Sequence, residues 1–241
     1  MKCLDNSLEY SVLNNENISA YPMIVVAAGN ATRMKGIDKI LADLDGTPIL
    51  IRTLTAVCQS NRVCEVVVVT REDKIDEYSA LVCNKFLKNI TFCVGGASRE
   101  ESVYNGIKAL GNRYDKVLVH DCARPLVTAD ILDRVSDALN INDSVTCGVK
   151  VKDTIKSVNE EMCVTKTFKR NFLISIQTPQ GVSVKKFCES AKTNDLSSFT
   201  DDTSVVEAVG CTTVVVDGDY RNIKITTPED LKLARLYLEE D

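Results

Sequence analysis

Short runs of β-branched and apolar residues recur along the chain between amphipathic stretches. They predict strands over residues 23–28, 65–70, 90–94, 116–120, 145–151 and 212–216. In the segments 24–28 and 66–69 every position is apolar, so both faces of these strands are expected to be buried. Burial on both faces is typical of a parallel sheet covered by helices. The pattern therefore predicts an α/β fold.

Apolar residues at helical spacing separate these strands. One predicted helix begins at Ser98-Arg99-Glu100-Glu101, which fits a capping box, and Thr128 is predicted to cap another. The last helix begins at Thr227-Pro228, where a capping residue precedes a proline in the first helical position. Paired acids within residues 200–204 precede a further helix, and they could simply complement its dipole.

The pattern becomes polar and alternating between about residues 149 and 179, with a turn expected at Asn159-Glu160-Glu161. This change predicts an antiparallel β-arm that leaves the main sheet. An exposed arm could serve dimerisation, and an ordinary edge hairpin is the structural alternative. We therefore predict an N-terminal extension over residues 1–20 and a single domain over residues 21–241, with the β-arm at about 149–179.

Composition narrows the functional classes. The chain has 241 residues, with 29 Lys and Arg against 34 Asp and Glu, and this acidic balance argues against nucleic acid as a partner. No apolar run reaches the length of a membrane span. The ten cysteines form no CxxC pair and accompany a single histidine, which argues against a structural zinc site. Reduced thiols and the lack of a targeting pattern in residues 1–20 predict a cytoplasmic protein.

Candidate chemistry follows the predicted strands, because ligands bind beyond the carboxyl ends of the strands in open parallel sheets. The sequence AAGNATRM at residues 27–34 follows the first strand, and Lys39 comes soon after. Small residues let backbone amides approach a ligand, and two nearby cations suit a polyphosphate. Only one glycine of a dinucleotide motif is present, and the GK[ST] of a Walker A loop is absent from this segment. A tight turn with surface cations is the structural alternative.

Gly95-Gly96 follows the third strand and leads into the capped helix that carries Ser102. The free amides at such a helix start can bind anions or polar base edges, although a plain turn would look the same. After the fourth strand, Asp121 and Arg124 could bind ribose, metal or phosphate, or form a structural ion pair. His120 is interpreted as a packed strand-end residue rather than a base.

Lys224 lies within the sequence Asn222-Ile223-Lys224-Ile225, which we interpret as a strand. A cation among buried positions requires an anionic partner, so we predict a ligand-binding role for it.

The order of the motifs resembles one family. These motifs are AAGNATRM, GGASREESV, VHDCARP, KDTIK, KRNFLISIQTPQ, FTDDTSVVEAVG and NIKITTPEDL. Over about residues 21–240 the chain resembles the 2-C-methyl-D-erythritol 4-phosphate cytidylyltransferases. These enzymes use CTP and Mg²⁺ to make CDP-methylerythritol and pyrophosphate in the non-mevalonate isoprenoid pathway. The resemblance implies a Rossmann-like nucleotidyltransferase fold and a homodimer that exchanges its β-arms.

The resemblance also implies a role for each matching position. The residues implied to bind CTP are Ala27, Ala28, Gly29, Arg33, Lys39, Gly95, Gly96, Ser102 and Asp121. The residues implied to bind the sugar-alcohol phosphate are Asp121, Arg124, Thr154, Arg170, Thr200 and Lys224. Those implied to be catalytic are Arg33, Lys39, Arg170 and Lys224. Thr154 and Arg170 would come from the neighbouring subunit, and Mg²⁺ would be held mainly by the CTP phosphates, with no dedicated metal ligands in the chain.

Two positions depart from the family pattern. Ala31 replaces a glycine, and Asp38 stands where a proline usually precedes the triphosphate lysine. An acid beside the triphosphate could weaken CTP binding unless it points to solvent. The alternatives are a ribitol 5-phosphate cytidylyltransferase and a catalytically silent nucleotide-binding homologue. The segments FTDDTSVVE and VHDCARP favour the methylerythritol enzyme over the first alternative, and the four cations implied to be catalytic favour an active enzyme over the second.

Overall fold

The computed structural model describes residues 19–29 and 38–239. The predicted extension, except for residues 19 and 20, lies outside the described residues, and so do Ala31 and Arg33. The strands are β1 (Tyr21–Val26), β2 (Asp43–Leu44), β3 (Thr47–Pro48), β4 (Val63–Thr70), β5 (Ile90–Val94), β6 (Lys116–Asp121), β7 (Ser144–Lys150), β8 (Lys156–Val158), β9 (Val164–Thr167), β10 (Ile174–Ser183) and β11 (Val214–Asp217). The helices are α1 (Ile49–Gln59), α2 (Ile75–Val82), α3 (Arg99–Leu110), α4 (Ala129–Ile141), α5 (Val184–Thr193), α6 (Asp202–Glu207) and α7 (Pro228–Glu239).

Among the described residues, seven strands form the main sheet in the order β11-β7-β10-β6-β1-β4-β5. All neighbouring strands run parallel except β10, which is antiparallel to both β6 and β7. The predicted α/β fold with a mostly parallel sheet is confirmed. The six strands predicted from the apolar runs are all present, with their ends shifted by at most two residues.

The sequence pattern did not predict β10, although residues 177–183 are all buried. This strand contains Pro179, which has no amide to donate to a sheet, and Gly181, which has no side chain to pack. Its ladder to β7 is irregular between Ile176 and Gln180, where the proline lies. A central strand of this composition lacks the β-branched run on which the prediction depends.

The core lies on both faces of the sheet, as the all-apolar runs predicted. Met23 and Val25 pack with α1, α2 and α4 on one face, whereas Ile24 packs with α3, α5 and α6 on the other. A smaller cluster joins α7 to the β2–β3 hairpin through Leu44, Ile225 and Ala234. No helix in residues 19–29 and 38–239 combines the length and apolar character needed to cross a bilayer.

The helix starts agree with the predictions in part. Ser98 caps α3 by accepting a hydrogen bond from the Glu101 amide, but the Glu101 carboxylate accepts from Ala97 instead of closing a capping box on Ser98. Thr128 precedes α4, but its side chain makes no capping hydrogen bond, so that part of the prediction is wrong. At α7, Asp230 and Thr227 exchange hydrogen bonds.

The polar alternating segment forms an arm outside the main sheet. Strands β8 and β9 pair with each other in a separate sheet, and the chain turns at Asn159, whose carbonyl accepts a hydrogen bond from the amide of Met162. The arm leaves the sheet at the end of β7 and returns through β10, where Lys150 pairs with Ile174. Its contribution to dimerisation and the single-domain division stay predictions.

Candidate active site

Two cavities in the described part of the chain open where β1, β4 and β6 end. The first, of about 480 Å³, lies beside the loops that follow β1 and β5. The second, of about 550 Å³, lies between β10 and the start of α6. Arg99, Asp121 and Lys224 line both cavities. These side chains therefore stand at the boundary where a molecule in one cavity would meet a molecule in the other.

The first cavity gathers most of the residues that the sequence predicts for the nucleotide. Its lining includes Ala27, Ala28, Gly29, Lys39, Gly96, Ser102, Asp121 and Lys224. Gly95 lies just behind them, and a Cβ atom at this position would come within 2.7 Å of the Ala28 Cβ and 2.9 Å of the Ser102 Oγ. Because no side chain fits in this space, glycine lets the loop after β5 pack directly against the loop after β1.

Hydrogen bonds fix the loop that leads into α3. The Ser102 hydroxyl accepts from the Gly96 amide at 3.0 Å and donates to the Ser98 carbonyl at 2.8 Å. The Gly95 amide donates to the carbonyl of Thr70 at the end of β4. Ser102 is itself buried. Ser102, which is predicted to lie near the nucleotide, therefore also has a structural role. Its hydroxyl shapes the backbone that lines the cavity.

Asp121 is the anionic centre of the site. Its Oδ2 lies 2.7 Å from Nζ of Lys224, and its Oδ1 accepts from Nε of Arg99 at 3.0 Å. Arg124 is more distant, with Nε 3.9 Å from Oδ2. Burial alone would raise the pKa of this carboxyl group, but Arg99 and Lys224 outweigh burial and hold the pKa well below its ordinary value. Asp121 is therefore ionised in the folded protein.

Arg99 was not singled out from the sequence. It is the first residue of α3, where a cation is unfavourable to the helix dipole, so it needs carboxylate partners. Its guanidinium donates to both oxygens of Asp202, at 2.9 and 2.8 Å, as well as to Asp121. These carboxylates outweigh burial and raise the pKa of Arg99 above its ordinary value. An arginine at this unfavourable position was the available sequence signal.

The paired acids before α6 have different tasks. Asp201 caps the helix, because its carboxylate accepts from the amide of Ser204, as the dipole interpretation predicted. Asp202 is fully buried and instead binds Arg99. Gln180 in β10 holds this turn, since its Oε1 accepts from the amides of Asp202 and Thr203 and its Nε2 donates to Asp201 at 2.9 Å. Sequence analysis did not identify Gln180.

The second cavity contains several of the residues predicted for the second substrate. Arg124, Thr200 and Lys224 line it together with Asp121. The structure therefore brings these predicted residues together from β6, from the turn before α6 and from the segment before α7.

The interpretation of residues 222–225 as a strand is wrong. The segment has no regular secondary structure, and separate contacts hold it against the ends of β6 and β10. The Asn222 side chain donates to the carbonyl of Thr178, Arg124 donates to the carbonyl of Asn222, and the Ile225 amide donates to the carbonyl of Ala123. These bonds satisfy the backbone without a neighbouring strand. The predicted anionic partner of Lys224 exists and is Asp121.

His120 is a packed strand-end residue, as predicted. The ring is fully buried, with Nε2 3.1 Å from the carbonyl oxygen of Arg124 and Nδ1 3.0 Å from the hydroxyl of Thr178. Burial lowers the pKa of His120 to about 4. The Thr178 hydroxyl also accepts from the amide of Asp121, so His120 helps to fix the backbone of the acid.

Two predicted residues lie elsewhere in the chain. Thr154 and Arg170 are exposed on the arm. Arg170 donates to the carbonyl of Lys152 and lines a separate cavity of about 360 Å³ together with Lys150 and Tyr220. Within one chain, the structure does not bring these arm residues to Asp121. Arg33 lies outside the described residues.

Arg71 is a further residue of the first cavity that the sequence did not indicate. It follows β4 directly and lines the cavity with Lys39, while its guanidinium pairs with Asp73 at 3.0 and 3.1 Å. Its place directly after the apolar run of β4 was the available sequence signal for Arg71, because ligands bind beyond the carboxyl ends of parallel strands.

Comparison with known proteins identifies the family. The model of the 2-C-methyl-D-erythritol 4-phosphate cytidylyltransferase family matches residues 22–240. The chain belongs to this family. It is 39% identical over 230 residues to the cytidylyltransferase of Caldanaerobacter subterraneus subsp. tengcongensis, covering 93% of this chain and 100% of the relative. It is 40% identical over 224 residues to that of Bacillus cereus, covering 90% and 97%.

Solved structures of cytidylyltransferases have the same fold. The 4-diphosphocytidyl-2C-methyl-D-erythritol synthase from Anaerococcus prevotii superposes with a TM-score of 0.80 at 31% identity, covering 92% of this chain and 96% of that one. The 2-C-methyl-D-erythritol 4-phosphate cytidylyltransferase from Francisella tularensis gives a TM-score of 0.77 at 28% identity, covering 90% and 99%. These names agree with the predicted family rather than with the ribitol 5-phosphate alternative.

Proposed function

We propose that this cytidylyltransferase moves the cytidylyl group of CTP to the phosphate of 2-C-methyl-D-erythritol 4-phosphate and releases pyrophosphate, in the non-mevalonate isoprenoid pathway. Family membership over residues 22–240 supports the reaction. The structural observation that carries the proposal is the position of Asp121 and Lys224 on the boundary between two cavities. A transfer between two substrates needs adjacent sites with cationic groups where they meet.

CTP is assigned to the first cavity. The small residues Ala27, Ala28 and Gly29, together with the loop at Gly95 and Gly96, present backbone groups that can bind the cytosine edge. Lys39 lines the same cavity and is assigned to the triphosphate, with Arg33 as its predicted partner. Cations at this position neutralise the charge that develops on the α-phosphate and on the departing pyrophosphate.

The acceptor is assigned to the second cavity, where Arg124, Thr200 and Lys224 can hold its phosphate. Lys224 lines both cavities, so its ammonium group can draw the acceptor phosphate towards the α-phosphate of CTP. An acceptor oxygen then attacks the α-phosphorus, and the bond to the bridging oxygen of pyrophosphate breaks. A phosphate whose second pKa is about 6 is largely ionised at neutral pH, so this attack needs no general base.

Mg²⁺ is assigned as a cofactor held mainly by the CTP phosphates. Within residues 19–29 and 38–239, no cluster of three His, Cys, Asp or Glu side chains could hold a metal. Mg²⁺ commonly binds through substrate phosphates, so the proposed mode of binding needs no such cluster. When bound, the ion supplies further charge neutralisation at the phosphates.

A homodimer is proposed because the arm residues implied to bind the acceptor lie away from Asp121 within one chain. The arm exposes Thr154 and Arg170, which are implied to bind the acceptor, and it also exposes the apolar side chains of Phe172, Ile174 and Ile176. A second copy that receives the arm would cover this apolar surface and bring Arg170 to the second cavity. The cytoplasm is the proposed compartment, because the nine cysteines within the described residues are all free thiols.

Pyrophosphate release by the purified protein tests the function. The assay compares 2-C-methyl-D-erythritol 4-phosphate with ribitol 5-phosphate, each with CTP, ATP, GTP or UTP, with and without Mg²⁺. Release that requires CTP, the methylerythritol substrate and Mg²⁺ is expected. Preference for ribitol 5-phosphate would transfer the protein to the alternative activity, and no release with any pair would favour a silent homologue. Light scattering at twice the mass of the chain is expected for the dimer.

A further inference from the structure

Asp38 is one of the two positions at which the chain departs from the family pattern, and both oxygens of its carboxylate accept hydrogen bonds. It accepts hydrogen bonds from the Tyr78 hydroxyl, at 2.8 Å to Oδ2 and 3.0 Å to Oδ1. Oδ1 also accepts from the amide of Ile40 at 3.1 Å, and Nζ of Lys74 lies 3.4 Å from Oδ2. The carboxylate therefore joins the segment before Lys39 to helix α2.

Tyr78 makes this contact rigid. Its side chain is 2% exposed and packs in the core cluster that covers one face of the sheet. Burial and the neighbouring Asp38 raise the pKa of the Tyr78 hydroxyl above its ordinary value, so the group remains a hydrogen-bond donor. A buried hydroxyl that loses its acceptor costs free energy, and the acceptor here is Asp38.

Lys39 lies between Asp38 and Ile40, and both of these neighbours are anchored by hydrogen bonds. Ile40, the next residue, is 2% exposed, and its carbonyl accepts from the amide of Leu50. Lys39 lines the first cavity, whereas Asp38 is not part of that lining. The carboxylate of Asp38 faces Tyr78 and Lys74 instead of the cavity. We therefore do not expect this acid to weaken CTP binding.

We propose that Asp38 and Tyr78 are positioning residues that hold Lys39 against the triphosphate of CTP. The inference rests on the proposed function, in which Lys39 neutralises charge on the phosphates. The pair would set the backbone of Lys39 through a buried anchor on α2, so this backbone would not have to be ordered when CTP binds. A purely structural role, in which the pair only docks α2, is the competing explanation.

A double-mutant cycle between Asp38 and Lys39 separates these explanations. Asp38→Ala, Lys39→Ala and the double variant are compared with the wild type in the pyrophosphate assay, giving kcat and the KM for CTP. If Asp38 acts through Lys39, Asp38→Ala lowers kcat by about tenfold in the wild type and by less than about twofold in the Lys39→Ala background. An equal loss in both backgrounds would overturn the proposal.

Conservative variants keep the test valid if Asp38→Ala folds poorly. Asp38→Asn retains an acceptor for Tyr78 and is expected to keep most of the turnover that Asp38→Ala loses. Tyr78→Phe removes only the hydroxyl and is expected to lower kcat while leaving the KM for 2-C-methyl-D-erythritol 4-phosphate unchanged. Tyr114→Phe is the matched control, because Tyr114 lies before the amino end of β6, away from the cavities, and it should behave as wild type.

The outcomes distinguish this proposal from the function on which it rests. A wild-type enzyme without pyrophosphate release would contradict the proposed function itself. Full turnover by Lys39→Ala in an otherwise active enzyme would remove Lys39 from the reaction and overturn the positioning role with it. An active enzyme that needs Lys39, but in which Tyr78→Phe and Asp38→Ala both retain wild-type kcat and KM, would overturn the positioning role alone.

Discussion

The ammonium group of Lys224 lies 2.7 Å from the carboxylate of Asp121, across the boundary of the two cavities. Lys224 belongs to a segment without regular secondary structure, whereas Asp121 ends a central strand. The side chain of Asp121 is 8% exposed, and Arg99 approaches it from a third element. One buried anion therefore holds together two cations that would otherwise repel each other.

Asp121→Asn is expected to destabilise the protein by about 3 kcal/mol, because Lys224 loses its carboxylate partner and Arg99 keeps only Asp202. Urea unfolding at pH 7 measures the loss. The folded-state pKa of Asp121 is lowered, so its stabilising contribution is present above the unfolded value and is lost as the pH falls. The difference in the free energy of unfolding between wild type and variant should therefore become smaller below about pH 4. A loss under about 1 kcal/mol at pH 7 would contradict the buried-anion account.

His120 should remain neutral well below the usual histidine range. It is the only histidine in the chain, so a single imidazole resonance in an NMR titration reports on it. We expect no change between pH 7.5 and 5.5 and a midpoint near the value of about 4 that burial imposes. A midpoint above pH 6 would show that the ring is hydrated or paired with an acid. Such a midpoint would contradict the buried position of His120 and its hydrogen bonds to Thr178 and Arg124.

The same pKa predicts a dependence of stability on pH. The folded value of about 4 lies below the unfolded value, so the contribution of His120 is complete above about pH 6.5 and declines as the pH falls towards 4. The expected loss over that interval is about 3 kcal/mol. His120→Gln, which cannot titrate there, should show a correspondingly smaller decline in its free energy of unfolding.

Arg170 and Lys224 should complement each other between subunits. Arg170→Ala is expected mainly to raise the KM for 2-C-methyl-D-erythritol 4-phosphate, and Lys224→Ala to lower kcat/KM. If the arm completes the partner's site, a heterodimer of the two variants contains one intact site and one doubly damaged site. Random exchange of subunits should then restore about a quarter of wild-type activity at low substrate concentration. Activity no higher than the average of the separate variants would place Arg170 outside the partner's site.

Gly95→Ala should impair the use of CTP more than it impairs folding. The added Cβ atom would press on Ala28 and Ser102, at 2.7 and 2.9 Å, and force apart the loops that line the first cavity. A rise in the KM for CTP of about tenfold or more is expected. The KM for the acceptor and the melting temperature should change much less. An unchanged KM for CTP would mean that these loops can separate without cost to the nucleotide site.

The strands with β-branched runs could be predicted from the sequence because burial on both faces leaves a continuous apolar pattern. Strand β10 could not, since Pro179 and buried glutamines interrupt that pattern. Gln180 is buried to hold the turn before α6, a contact with a segment some twenty residues away that local composition does not encode. The sequence wrongly predicts a strand at Lys224. Asn222 and Ile225 are buried, but separate contacts bury them instead of the ladder of a sheet.

The candidate site was predictable in outline, because its residues follow the strand ends. Asp121 and Lys224 could each be singled out for their charge at a buried position. The pairing of Arg99 with Asp202 could not be predicted, since it joins helix starts more than a hundred residues apart, and each residue alone resembles a helix-terminal charge. The orientation of the Asp38 carboxylate could not be predicted either, because it depends on a contact with Tyr78, forty residues away in the chain.

The arm enters and leaves the fold through two adjacent strands of the main sheet, β7 and β10. Thr178, in the returning strand, hydrogen-bonds both the ring of His120 and the amide of Asp121. The base of the arm is thus hydrogen-bonded to the backbone of Asp121 through a buried part of the main sheet. Among the described residues, β8 and β9 pair only with each other, outside that sheet. In the proposed homodimer, the arm that one subunit extends to its partner would therefore be anchored, through Thr178, to that subunit's own Asp121.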